Sequence, residues 1–293
     1  MPVSTADFSV DVIRNLFIDR YGISTLSEFN TDLSVQFSNK SPQLIYIKAV
    51  LNDPNGNWTF DDGTTSKNMG SIDAFGTTAR YLTLKRAVPS ADVENETFTV
   101  TFEIYKDSGY TKKIDQIVKT ITAYIVDFRN NSNWNVEVSD FDDGTAQGWT
   151  LNLFSINDAA SIKADGYAAY YQHVGSTKTP SLEKNISVPS GIAGLIFYWG
   201  AHLYSAWNGS YARLYYVRVY VDGAKVYEDH VNTAVDYNPT HKYLGWFQVP
   251  IDLSPHAGKT VNVKIEFTVK TDRTSYEWVR IAVDDILLVS KSS

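Results

Sequence analysis

The sequence predicts an all-β protein: an immunoglobulin-like β-sandwich followed by a jelly-roll β-sandwich, with a short N-terminal helix. Three observations carry that reading. Aromatic residues make up 14% of the chain, with 19 Tyr and 7 Trp beside frequent Val, Ile and Thr, the residues that fit a pleated, half-buried surface. Apolar runs of five to ten residues recur along most of the length and are split by clusters of Asn, Asp, Gly and Pro. At 293 residues the chain is long enough for two domains with separate cores.

From Asp7 to Tyr21 the apolar positions Phe8, Val12, Ile13, Leu16 and Phe17 recur at spacings of three and four. Ser4, Thr5 or Asp7 can cap a helix there and Gly22 can end it. Residues 1–23 are therefore expected to form a helical arm, which either covers one end of the first sandwich or docks on a neighbouring subunit. Residues 24–128 follow as the first sandwich. Its strands are LSVQF, QLIYIKAVL, RYLTLKRAV, ETFTVTFEIY and VKTITAYIVDF, separated by NKSP, DPNGN, DDGTT and KDSGY. The polar stretch RNNSNWN, residues 129–135, reads as a short linker, and residues 136–293 as the second sandwich.

The second sandwich is bounded by FDDGTAQGW, Phe141 to Trp149, and by WVRIAVDDILLV, Trp278 to Val289. Strict alternation places Val279, Ile281, Val283, Asp285, Leu287 and Val289 on one face of the last strand. A carboxylate in an apolar row must be protonated, paired, hydrogen-bonded or bound to a cation. If the first and last strands lie side by side, Asp140, Asp142 and Asp143 converge with Asp284 and Asp285, and their repulsion invites a hard cation such as calcium. The alternatives are turn acids held by hydrogen bonds, or a carboxylate pair set for glycoside hydrolysis.

The order FDDGTAQGW, LIFYWG, VYVDGAKVY, WFQVPIDLS, GKTVNVKIEF, IAVDDILL resembles the jelly rolls of MAM domains and carbohydrate-binding modules over about residues 139–290. The resemblance implies a structural calcium held by Asp142 and Asp143 with Asp284 and Asp285, although this chain carries Asp where such domains often carry Glu.

GAHLYSAWNGSYARLYY, Gly200 to Tyr216, gathers rings around small residues. Tyr204, Trp207 and Tyr211 are candidates for a platform on which sugar C–H faces stack, with subunit contact or loop packing as the alternative. Six Asn-X-Ser/Thr sequons, at Asn39, Asn57, Asn95, Asn130, Asn185 and Asn208, lean toward an outward-facing surface.

Composition excludes other classes. Zero Cys removes disulfides and thiolate chemistry, and a net charge of -7 without long basic runs argues against nucleic acid as a partner. No apolar run reaches the ~18 residues of a membrane span. The opening MPVSTADFSVDVIRNLF has no basic segment leading into an apolar one, so no secretory signal is expected if Met1 is the native start. The five His follow no metal-ligand spacing, and neither a GxSxG elbow nor a phosphate-binding loop occurs, so the chain is expected to be non-enzymatic.

Two sandwiches in tandem with an N-terminal arm resemble the turret, spike and vertex proteins of icosahedral viruses, including archaeal ones. That resemblance implies a virion-surface structural protein in contact with copies of itself and with neighbouring capsid proteins, its outer jelly roll touching a host glycan. The alternative is a carbohydrate-binding module or adhesin of a secreted or cell-surface protein.

Overall fold

Alternating burial runs through nearly every element of the computed structural model, as it must where each sheet turns one face to a core. Residues 7–158, 167–205, 211–229, 231, 233–236, 240–271 and 277–291 are described. The chain divides into two units, residues 1–131 and 132–293.

The first unit holds β1 (Phe8–Val12), β2 (Asn15–Asp19), α1 (Arg20–Ile23), β3 (Glu28–Asn39), β4 (Ile45–Asn52), β5 (Trp58–Phe60), β6 (Ser66–Ile72), β7 (Thr77–Ala87), β8 (Val93–Tyr105) and β9 (Lys113–Val126). Two sheets, ordered β1-β3-β7-β5 and β2-β9-β8-β4-β6, enclose a core that includes Phe37, Trp58, Phe98 and Phe102. The DPNGN turn is built by Asp53, whose carboxylate accepts the backbone N–H of Asn55 at 3.0 Å and of Trp58 at 2.9 Å, with Gly56 at φ 68°.

The expected N-terminal helix is corrected here: the helix is only the four residues of α1, capped by the Asp19 carboxylate on the Tyr21 N–H. β1 pairs antiparallel with β3, and β2 runs parallel to β9, so this stretch is part of the first sandwich rather than an arm. Phe8 and Val10 alternate inward on β1, whereas Leu16, Phe17, Ile18 and Asp19 are all buried on β2. A strand covered on both faces reads as a continuous apolar run, and two such short pieces in succession imitate helical spacing.

The expected linker is partly anchored. Asn130 donates to the Asp127 carboxylate and Asn131 to Asp92 and Glu94, all within the first unit.

The second unit contains β10 (Asn135–Ser139), β11 (Thr150–Asn152), β12 (Ser155–Asp158), β13 (Tyr167–His173), β14 (Ser181–Ser187), β15 (Ile192–Ser205), β16 (Tyr211–Val221), β17 (Ala224–Asp229), β18 (Thr233–Asp236), β19 (Thr240–Asp252), β20 (Thr260–Thr271) and β21 (Glu277–Lys291). They form a jelly-roll sandwich. One sheet is ordered β12-β13-β21-β15-β19 with β10 also on β21; the other is β11-β14-β20-β16-β17 with β18 on β16. Between them lies a core that includes Phe141, Trp149, Trp199 and Phe267. Asp222 and Gly223 join Val221 to its partner Ala224 with positive φ at both positions, the two-residue hairpin that a Asp-Gly pair favours.

Candidate functional site

The opening and closing strands of the second unit do adjoin, with Ser139 opposite Ile286. The acids around them are engaged in hydrogen bonds of their own. Asp143 Oδ1 accepts both the backbone N–H and the hydroxyl of Thr145 at 2.8 Å, and the hydroxyl bond above all holds this exposed carboxyl below its usual range. Asp142 Oδ1 accepts the Tyr167 N–H at 3.2 Å, and Asp140 Oδ1 accepts the Gln147 amide at 3.0 Å.

On β21 the backbone enters the left-handed region at Asp285, φ 47°, and the register with β15 shifts between Ile196 and Tyr198. The phase of the strand changes there, as at a bulge. Val279, Ile281 and Val283 belong to the core, but beyond the shift Ile286 takes the inward place. Asp284 therefore lies on the outer face opposite Tyr198, 1% exposed, while Asp285 is half-buried. The expectation that Asp285 stands in the core row is corrected: Asp284 is the buried acid of the pair.

Among the described residues no three His, Asp or Glu side chains are placed to hold a metal ion. Asp142, Asp143, Asp284 and Asp285, the residues for which the resemblance implied calcium, do not form such a group. Asp143 is bonded within its own turn and Asp142 to the first residue of β13, and the other two straddle the phase change.

Of the expected ring platform, Trp207 lies outside the described residues. Tyr204 is on β15 between buried Leu203 and Ser205, and Tyr211 is on β16 beside buried Ala212, so alternation turns each outward from a different sheet. The two tyrosines belong to opposite faces of the sandwich and do not form one platform.

Tyr204 instead joins rings from two other strands. On the outer face of the β21, β15 and β19 strands, Tyr204 lies opposite Trp278 on one side and His241 on the other, and His202 lies opposite Arg280 and Tyr243. His202 stacks on Tyr243 with centroids 3.8 Å apart and meets Trp278 edge-on at 4.4 Å. Tyr204 stacks on Trp278 at 5.4 Å and leans on His241 at 4.5 Å. The guanidinium of Arg280 sits 4.0 Å from the Trp278 ring centre, and its Nε donates to Gln172 Oε1 on β13 at 2.9 Å.

Within this cluster His202 is 3% exposed and Tyr243 63%. His202 Nε2 and His241 Nδ1 share a hydrogen bond of 2.9 Å. Burial first, then the charges of His241 and Arg280, push the His202 pKa down to about 4, so a neutral ring supports the exposed tyrosine.

Of this ring cluster, sequence reasoning named Tyr204 as a candidate but not Trp278, Arg280, His241, Tyr243 or Gln172. A signal existed. Three strands each carry a pair two residues apart, Tyr204 with His202, Trp278 with Arg280 and His241 with Tyr243, which is the spacing of one sheet face.

A hollow of about 230 Å³ in the second unit is bounded by Glu137, Trp149, Lys184, Ile186, Leu195 and Ile286. It offers no open ring. Trp149 is buried, Lys184 Nζ lies 5.9 Å over its ring, and the same amine reaches Glu137 at 3.3 Å.

No family model matches the chain, and no curated protein matches it. Solved structures do. The carbohydrate-binding module CBM27-1 of Caldicellulosiruptor saccharolyticus, solved with mannohexaose, has a TM-score of 0.36 at 14% identity, over 52% of this chain and 96% of that one. The cleaved adhesin domain K1 of Lys-gingipain from Porphyromonas gingivalis has a TM-score of 0.34 at 12% identity, over 54% of this chain and 99% of that one. Infectious bursal disease virus has a TM-score of 0.28 at 11% identity, over 84% of this chain and 50% of that one. At these scores the likenesses say nothing about what this chain binds, and what each protein binds is a property of that protein.

Proposed function

We propose that the second unit is a non-catalytic carbohydrate-binding module whose site is the outer face of β21, β15 and β19. The observation that carries this is the ring set of Trp278, Tyr204 and Tyr243 on a solvent-facing sheet, flanked by Arg280 and Gln172. Sugar rings present C–H faces that settle on aromatic surfaces, and their hydroxyls need donors and acceptors at the edge. Rings buttressed from below lose little freedom when a ligand lands, which favours affinity from a small contact. Tyr243 rests on His202, and His202 on Trp278.

The assembly-protein reading drew on the tandem sandwiches and on an N-terminal attachment arm. With that stretch built into the first sandwich as β1 and β2, nothing in the described residues favours it over the module.

An oligosaccharide array probed with the full chain tests the proposal. The wild type is expected to bind at least one class of oligosaccharide. An aromatic stacking contact contributes about 0.5–1.5 kcal/mol, so Tyr243→Ala weakens binding by roughly two- to tenfold. Trp278→Ala, which removes the ring beneath Arg280 as well, weakens it more. Binding that both variants retain in full places the site elsewhere.

A further inference from the structure

On the ring face, Arg280 is held in place, and among the described residues no acid neutralises it. Its Nε is committed to Gln172 and its guanidinium is in cation–π contact with Trp278. Among the described residues no carboxylate forms an ion pair with it, whereas Arg20 meets Asp92, Arg86 meets Glu96 and Arg218 meets Glu228.

The other ionisable groups on the two rungs of Trp278 and Arg280 are His202, Tyr204, His241 and Tyr243, and none of them is a carboxylic acid. Glu277, next to Trp278 in sequence, is buried and follows the inward phase of Val279 and Ile281. Asp284, the next acid on the outer face of β21, is four residues further along, roughly 13 Å away at the rise of a strand, and is itself buried. A protein of net charge -7 thus presents a cation within this ring cluster.

A guanidinium fixed through Nε leaves the two Nη groups, a planar fork that matches both oxygens of a carboxylate. We propose that the saccharide taken by this face is an acidic one, a uronate or sialate residue whose carboxylate is received by the Nη groups of Arg280 while its ring lies against Trp278 or Tyr243. This rests on the carbohydrate-binding reading and narrows it. The depressed pKa of His202, to which Arg280 contributes, is consistent with a positive potential at the site.

Isothermal titration of the full chain with two matched pairs tests the inference: trigalacturonate against its carboxyl-reduced trisaccharide, and 3′-sialyllactose against lactose. In one pair the acidic member is expected to bind at least about tenfold tighter than its neutral partner, and which pair responds separates uronate from sialate recognition. Arg280→Gln brings that ratio close to one, and Arg280→Lys, which keeps the charge but loses the fork, leaves an intermediate ratio. Melting curves of both variants confirm that they fold. A neutral partner bound as tightly as the acid, a preference that survives Arg280→Gln, or binding confined to neutral sugars on the array overturns the inference and leaves the module reading standing. Failure of every acidic and neutral probe overturns both.

Discussion

Two buried polar groups decide the behaviour of their surroundings, one in each unit. In the first, Glu96 is 5% exposed and accepts from Arg86 Nε at 2.9 Å, from the Trp58 indole at 2.9 Å and from the Asn57 amide. Removing one partner of a buried ion pair strands the other charge, at about 3–5 kcal/mol, whereas an exposed pair contributes less than about 1 kcal/mol. Glu96→Ala is therefore expected to destabilise the protein by that larger amount in urea, and Glu137→Ala, which loses only the surface contact to Lys184, by the smaller. Equal effects would show that the Glu96 cluster contributes no more than a surface bridge. In the second unit, His202 has a folded-state pKa of about 4 against an ordinary 6.5. Between those values the unfolded chain binds the extra proton, so the contribution of this group to stability is intact above pH 6.5 and is lost as the pH falls toward 4. Asn takes up no proton. The melting-temperature gap between wild type and His202→Asn should shift in favour of the variant as the pH is lowered through that window, and a gap independent of pH contradicts the assignment. Such burials could not be read from the sequence: Glu96 and His202 look like any acid or imidazole on a strand until the facing sheet is in place. Asn39 teaches the same lesson, since its sequon lies on a residue only 1% exposed whose amide donates to the Gln43 and Asp73 carbonyls.

Among the strands, period-two reasoning succeeds where one face is buried and fails where the backbone departs from the pleat. β3 and β20 alternate without interruption, and the DPNGN and Asp-Gly turns fall where turn chemistry requires them. β2 is apolar on both faces, and the run from Phe8 to Phe17 consequently imitates a helix. β21 carries the clearest failure. A single left-handed residue, Asp285, moves the core row from Val283 to Ile286, and no feature of IAVDDILL marks which Asp takes that conformation. A β-branched side chain resists the left-handed region, while Gly enters it freely. Asp285→Val should be less stable than Asp285→Gly by about 1–2 kcal/mol in chemical denaturation. Equal stabilities would mean that the phase change does not depend on this residue.

For the molecule as a whole, the tandem arrangement was legible because each unit closes its own core, one around Trp58 and Phe102 and the other around Trp149 and Phe267. The site was legible only in fragments. Tyr204, Arg280 and Tyr243 are separated by long stretches of chain and meet because β21 and β19 flank β15, a strand order that no local pattern encodes. Of the acids that looked most like a site, Asp143 is bonded within its own turn and Asp142 to the backbone N–H that opens β13. The crystal structure of the full chain soaked with the oligosaccharide that binds tightest on the array tests the binding face most directly. The account predicts a sugar ring within about 4 Å of Trp278 or Tyr243, across β21, β15 and β19. A sugar seated in the hollow beside Trp149, or on the outer face of the other sheet beside Tyr211, would contradict it.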